Sequence, residues 1–136
     1  NEAVAVLTGG TATTTTVSAG GSITLSASTT KAHVGLAYSS TLQTMRYAGT
    51  SQLGTLQGQE KRINKVVLRL ENAKQFKYGH TMSSTMLKEK TLSSLYTGDM
   101  EFEMPLGINR EGYVVIINEK PLPITVTAII VEVNSP

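Results

Sequence analysis

"GYVVIINEKPLPITVTAIIVEV", residues 112–133, is the most apolar stretch of the chain, and the fold turns on which solvent it meets. A helix that spans a bilayer needs about 20 mostly apolar residues in a row. Here Asn118, Glu119, Lys120, Pro121 and Pro123 interrupt the run near its middle. The prolines would remove helical hydrogen bonds, and the charged pair would sit at mid-membrane. No membrane-spanning segment is expected. The flanking residues are mostly Val, Ile and Thr, whose branching at Cβ favours a pleated surface. Two strands are predicted, over residues 113–117 and 124–133, paired antiparallel with each other across the proline-stiffened connection. In the second, Ile124, Val126, Ala128 and Ile130 share a face, with Thr125 and Thr127 opposite. Ile129, Val131 and Val133 then carry apolar character across. The strand is therefore either covered on both faces near its end or bulged there.

Composition extends this reading to the whole chain. The 136 residues suit one domain with one core. Charged residues make up 16%, against about 25% in an average globular domain. Thr, Ser and Gly fill the difference. The expected fold class is all-β, an antiparallel β-sandwich or barrel-like domain with long polar loops. A net charge of +2 is too small to argue for nucleic-acid binding, where clustered basic residues supply the affinity. Cysteine is absent, so disulfides and Cys-ligated metals are excluded. The first residues, "NEAVAVLTGG", show neither an initiator Met nor the basic and apolar regions of a signal peptide. The expectation is a processed chain or a piece of a longer one.

Residues 1–30 read as three short strands separated by glycine pairs, "EAVAVLT", "TATTTTVSAGG" and "SITLSAS". The Thr run is taken as an edge strand. The stretch "TLQTMRYA" shows no clean buried face. Residues 48–59, rich in Gly, Ser, Gln and Thr, should form a surface loop. "EKRINKVVLRLEN" carries the clearest period of two: Val66, Leu68 and Leu70 face one way, and Lys65, Val67, Arg69 and Glu71 the other. "AKQFKYGH" is expected to turn away from it. Residues 81–97 are read as an irregular excursion with one helical turn. In "GDMEFEMP", Met100, Phe102 and Met104 alternate with Asp99, Glu101 and Glu103. "LGINREG" reads as a turn. The expected core is Val66, Leu68, Leu70, Phe102, Val114, Ile116, Val126 and Ile130.

The chemistry-bearing residues are sparse. A hydrolase needs an activated nucleophile or a pair of carboxylates. The only histidines are His33 and His80, the only aspartate is Asp99, and no serine sits in a G-x-S-x-G context. Glu101 and Glu103 share a strand face, which reads more simply as solvated than as half a cation site. "AGTSQLGT" has the glycine spacing of a phosphate loop at Gly49 and Gly54, but Thr55 stands where the phosphate-binding Lys belongs. The expectation is no catalytic site, no metal and no cofactor. Lys61, Arg62, Lys65 and Arg69 make a basic strand face, and Asp99, Glu101 and Glu103 an acidic one. The two suit cross-strand or cross-subunit pairing. Lys65, Arg69, Glu101 and Glu103 are accordingly candidate assembly contacts. So are Ile129, Val131 and Val133, where apolar surface spills over, and the Thr-rich edge near residues 13–17.

Four stretches, "HVGLAYSSTLQTM", "QGQEKRINKVVLRLENA", "SSLYTGDMEFEMPLGINREGYVVI" and "NEKPLPITVTAIIVEV", together resemble the C-terminal part of the tail tubular protein B (tail nozzle) family of short-tailed bacteriophages. That family's "VGLPY", "KRI…V.LRL", "LFTGD" and "PLPLTVLAI" elements correspond to residues 34–38, 61–70, 95–99 and 121–129, in the same order. Ala37 replaces the proline of the first, and Ile124 and Thr127 replace leucines of the last. The resemblance covers about three quarters of the chain, from His33 onward. It implies a structural virion protein in the phage tail, a homo-oligomeric ring of the tail tube or nozzle through which the genome is ejected. Partners would be copies of itself and adjoining tail proteins, the adaptor and distal components, with DNA passing non-specifically. Family members are several times longer, so residues 1–136 would be a single β domain of a larger tail subunit. The alternative expectation is a β-sandwich carbohydrate-binding module recognising cell-surface glycan. The absence of Trp weakens that alternative, because such sites stack sugars on exposed aromatics.

Overall fold

The computed structural model describes residues 2–51, 54–55, 58, 60, 62–104 and 111–134. It is all-β and antiparallel, a sandwich-like domain, and no α-helix occurs among the described residues. A three-stranded sheet has the order β2-β1-β3, with β1 Ala3–Thr8, β2 Thr11–Thr16 and β3 Ala32–Leu36. Gly9 and Gly10 join β1 to β2 with φ of 55° and 81°, the left-handed pair that a two-residue hairpin turn requires. The Thr-rich β2 is indeed an edge. The strand expected over residues 22–28 does not form. Ile23 and Leu25 are half-buried there, and Leu25 lines a cavity with Val6 and the β2 threonines. The segment packs beside β1 and β2 without joining a ladder, and alternation alone cannot tell those two apart.

The second sheet is built on β7 (Arg62–Gly79), 18 residues long. Along one edge runs β8 (Lys88–Glu103). Along the other run β10 (Thr125–Asn134), beside residues 62–71, and β9 (Val115–Asn118), beside residues 77–79. β4 (Ser40–Gln43) closes the far side of β9. β5 (Thr50–Ser51) and β6 (Gly54–Thr55) form a separate ribbon within the expected loop.

This arrangement corrects the expected hairpin. β9 and β10 do not pair with each other; both pair with β7, one after the other on the same edge. The six residues between them make a detour instead of a reversal. Pro123 accepts a hydrogen bond from Lys74 N at 3.0 Å, Asn118 Nδ2 donates to Leu122 O at 2.9 Å, and Leu122 is buried. Pro121 and Pro123 lack the N–H that a continuous ladder would need, so the interruption falls where they stand.

All three strands break at the same height. Asn72 in β7 adopts φ 51°, Gly98 in β8 adopts φ 143°, and the β7–β8 ladder slips on either side of Ala73. The β9–β10 detour lies alongside. The result is a crease across the sheet. Phe102 lies opposite Val66, ten positions along β7 from Phe76. In a flat sheet that distance would be about 33 Å. Instead the two rings meet edge-on with centroids 5.6 Å apart, and Tyr78 lies 4.7 Å from Phe102. The sheet is folded in two around its own aromatic core, joined by Val66, Leu68, Leu70, Ala73, Val114 and Ile116. Each aromatic pair is worth about 0.5–1.5 kcal/mol beyond simple burial. "AKQFKYGH", expected to turn away from the strand, instead continues it through Gly79 beyond the crease. Residues 88–97, expected to be irregular, belong to β8, and the only helical turn among the described residues is a 3-10 turn at Ser84–Met86.

Six of the eight expected core residues are buried; Val126 is half-buried and Ile130 is 54% exposed. A bulge at Thr127 explains the exposure of Ile130. Val126 lies opposite Leu70, but the next partner of β7 is Ala128, opposite Arg69. From there the inward face passes to Ile129 and Val131, and a second slip adds Val133. These three pack against the core, and Ile130 points outward. The turn expected at "LGINREG" lies outside the described residues except for Glu111 and Gly112.

Candidate functional site

The basic and acidic faces are neighbours in one sheet. β7 and β8 pair Lys65 with Glu103 and Arg69 with Asp99 in register. Arg69 donates from Nε and Nη2 to the two Asp99 carboxylate oxygens at 2.7 and 2.9 Å. Lys65 Nζ reaches diagonally to Glu101 at 2.9 Å. The Arg69 hydrogen bonds hold the Asp99 carboxyl below its usual range, and Glu101 raises the Lys65 ammonium. Alternating signs on adjacent strands thus find partners within the chain, on an exposed face. Ile129, Val131 and Val133 likewise have cover from the chain's own core.

The histidines stand apart. His33 is exposed on β3, and His80 follows β7 with its Nδ1 buried and without a hydrogen-bond partner. No group of three His, Cys, Asp or Glu among the described residues could hold a metal ion. The glycine-spaced segment of residues 49–55 lies partly outside the described residues, and its described ends form the β5–β6 ribbon.

The most exposed apolar surface lies where periodicity gave no signal. Val34 and Leu36 stand out from β3, Tyr38 follows, Leu42 stands out from β4, and Met45 is 89% exposed. β3 and β4 are each the outer strand of their sheet, with one edge unpaired among the described residues. Every described side chain of both strands is exposed, so neither strand shows a buried face from which to read a period. The following segment is nevertheless anchored. Thr44 N donates to Val114 O and Val114 N to Thr44 Oγ1, both at 3.0 Å. Arg46 pairs with Glu111 and donates to the Tyr113 hydroxyl, which donates in turn to Glu111 at 3.0 Å. The backbone is held while the apolar side chains face out. Of the residues expected to mediate assembly, Lys65, Arg69 and Glu101 have ion-pair partners within the chain, and Ile129, Val131 and Val133 pack on its core, while the exposed apolar side chains from Val34 to Met45 were not foreseen.

No helix among the described residues is long and apolar enough to cross a membrane. No protein-family model matches the chain, and no curated protein matches it.

Proposed function

We propose that this chain is a structural assembly domain of a phage tail subunit, a nozzle or tube component without catalytic activity, acting through contact with copies of itself and with adjoining tail proteins. The reading rests on the ordered resemblance of its strand motifs to the tail nozzle family. The observation that carries it here is the exposed apolar side chains on and beside two outer strands, Val34, Leu36, Tyr38, Leu42 and Met45, where each strand has an edge unpaired among the described residues. Unpaired strands with apolar side chains are surfaces for further strand pairing, and monomeric proteins usually protect them with charge or proline. A repeated contact of unlike faces closes into a ring, the form a tail tube requires. Tyr38, exposed in the same segment, is the one feature that favours the carbohydrate-binding alternative.

The test uses the complete subunit that contains this sequence. Light scattering and negative-stain images should show rings for the unaltered protein and monomers for a Leu36→Lys, Leu42→Lys variant with an unchanged melting temperature. Rings that persist in the variant would remove these side chains from the interface. A monomeric subunit that binds glycans on an array, through Tyr38, would replace this reading with the alternative.

A further inference from the structure

Among the described residues, the starts of β7 and β8 and the ends of β8 and β10 line one groove of about 750 Å³. The start of β7 supplies Arg62 and Asn64, and the start of β8 supplies Lys88. Arg62 and Lys88 are remote along the β7–β8 ladder, since Lys88 pairs with Tyr78 near the far end of β7. Only the fold brings them to one cavity. Glu103 and Glu132 complete its polar wall, and Met104 forms part of its lining. Met104 N donates to Asn64 O at 3.0 Å, which fixes that wall. Lys65 also lines the groove but is paired with Glu101. Arg62 and Lys88 have no ion-pair partner among the described residues.

We propose that this groove binds small hydroxylated organic anions, with the anionic group held between Arg62 and Lys88 and the hydroxyls donating to Glu103 and Glu132. The mixed wall argues for this class. Two cations without an ion-pair partner among the described residues line the one cavity, and charge-assisted contacts to an oxyanion are the stronger hydrogen bonds. Two carboxylates in the same wall repel a bare anion and accept hydrogen bonds, so a ligand that also carries donors is favoured. The volume falls within the range of small-molecule sites, about 300–1,000 Å³. The anionic group can be a phosphate or a carboxylate.

Amide NMR titration at low salt tests the assignment, with glycerol 3-phosphate and gluconate as probes and with glycerol and inorganic phosphate as controls. Saturable shifts at Arg62, Asn64, Lys88 and Met104 with either hydroxylated anion are expected, and the tighter probe identifies the anionic group. Arg62→Gln and Lys88→Gln should each weaken binding by about fivefold or more, the loss of one charged contact. Lys31→Gln, far along the chain on β3's approach, should leave it unchanged. Equal binding by both groove variants and the unaltered protein would overturn the site. So would binding of neither probe, or of glycerol as tightly as glycerol 3-phosphate. Inorganic phosphate binding as tightly as glycerol 3-phosphate would overturn the role of Glu103 and Glu132. Unchanged melting temperatures of the variants, all at exposed positions, confirm that the fold is intact.

Discussion

Leu68 lies between Met100 on β8 and Ile129 on β10, and it is 1% exposed. Its side chain fills the middle of one layer, where neighbours on both strands are too well paired to collapse into a void. Leu68→Ala should cost about 2–5 kcal/mol, seen in a urea titration as a lower midpoint with an unchanged slope. Asn72 raises the opposite kind of question, since its position is set by backbone and not by burial. At φ 51° a β-branched side chain crowds the following carbonyl, and Asn is among the few residues that tolerate the conformation. Asn72→Val should destabilise by about 1–2 kcal/mol, while Asn72→Gly should stay within about 1 kcal/mol of the parent. Thermal melts of the pair separate a backbone role from a side-chain one, because loss of a side-chain contact would affect both alike.

At the scale of elements, the detour between β9 and β10 is held by a small charged latch. Lys77 Nζ pairs with Glu119 at 2.6 Å, Lys120 Nζ lies 3.4 Å from Glu89, and the buried Gln75 donates its amide to Glu89. The Gln75 hydrogen bond, with help from Lys120 and Lys77, holds the Glu89 carboxyl below its ordinary value of 4.5. A carboxyl lowered on folding stabilises the native state above its unfolded value, and that contribution is lost as pH falls through the folded one. Glu89→Gln should therefore lower the melting temperature at pH 7, and the difference from the parent should begin to narrow as pH falls below about 4.5. A difference that does not narrow at all as pH falls below about 4.5 would show packing, not charge, at Glu89. The latch also shows what was legible in the sequence. Alternation at Val66, Leu68 and Leu70 announced β7 because one face meets the core and the other meets water. The opposed signs of Lys65, Arg69, Glu101 and Asp99 likewise announced a paired surface, and the fold realises it across adjacent strands. The pairing of β9 and β10 was not legible, since two β-branched runs around a short proline turn look the same whether they face each other or share a third strand. The face of β10 was hidden by the Thr127 bulge, which shifts the period by one. The Val34–Met45 segment gave no signal because its side chains are exposed on both faces of β3 and β4.

The whole molecule divides unevenly in its packing. The core cluster is drawn from β7, β8 and the β9 region, while β2 and β3 present mostly exposed side chains around the buried Val4, Ala5 and Val6. Local opening costs least where few apolar contacts resist it. In hydrogen exchange followed by mass spectrometry, peptides from β1–β3 should lose protection well before those spanning residues 66–70 and 76–78. Uniform exchange of both sheets would instead indicate one cooperative unit. The single long β7 has a further consequence for how the chain is made. Its first edge is completed by β8, the next strand of the sheet to be synthesised, but its second edge waits for residues 115–134. Until those emerge, the nascent hairpin displays an open edge along residues 62–71 beside the apolar face of Val66, Leu68 and Leu70. That is the combination most prone to pairing with a second nascent chain. A product truncated before Thr125 keeps that edge bare and should accumulate as aggregate, whereas one shortened within β2 should remain dispersed.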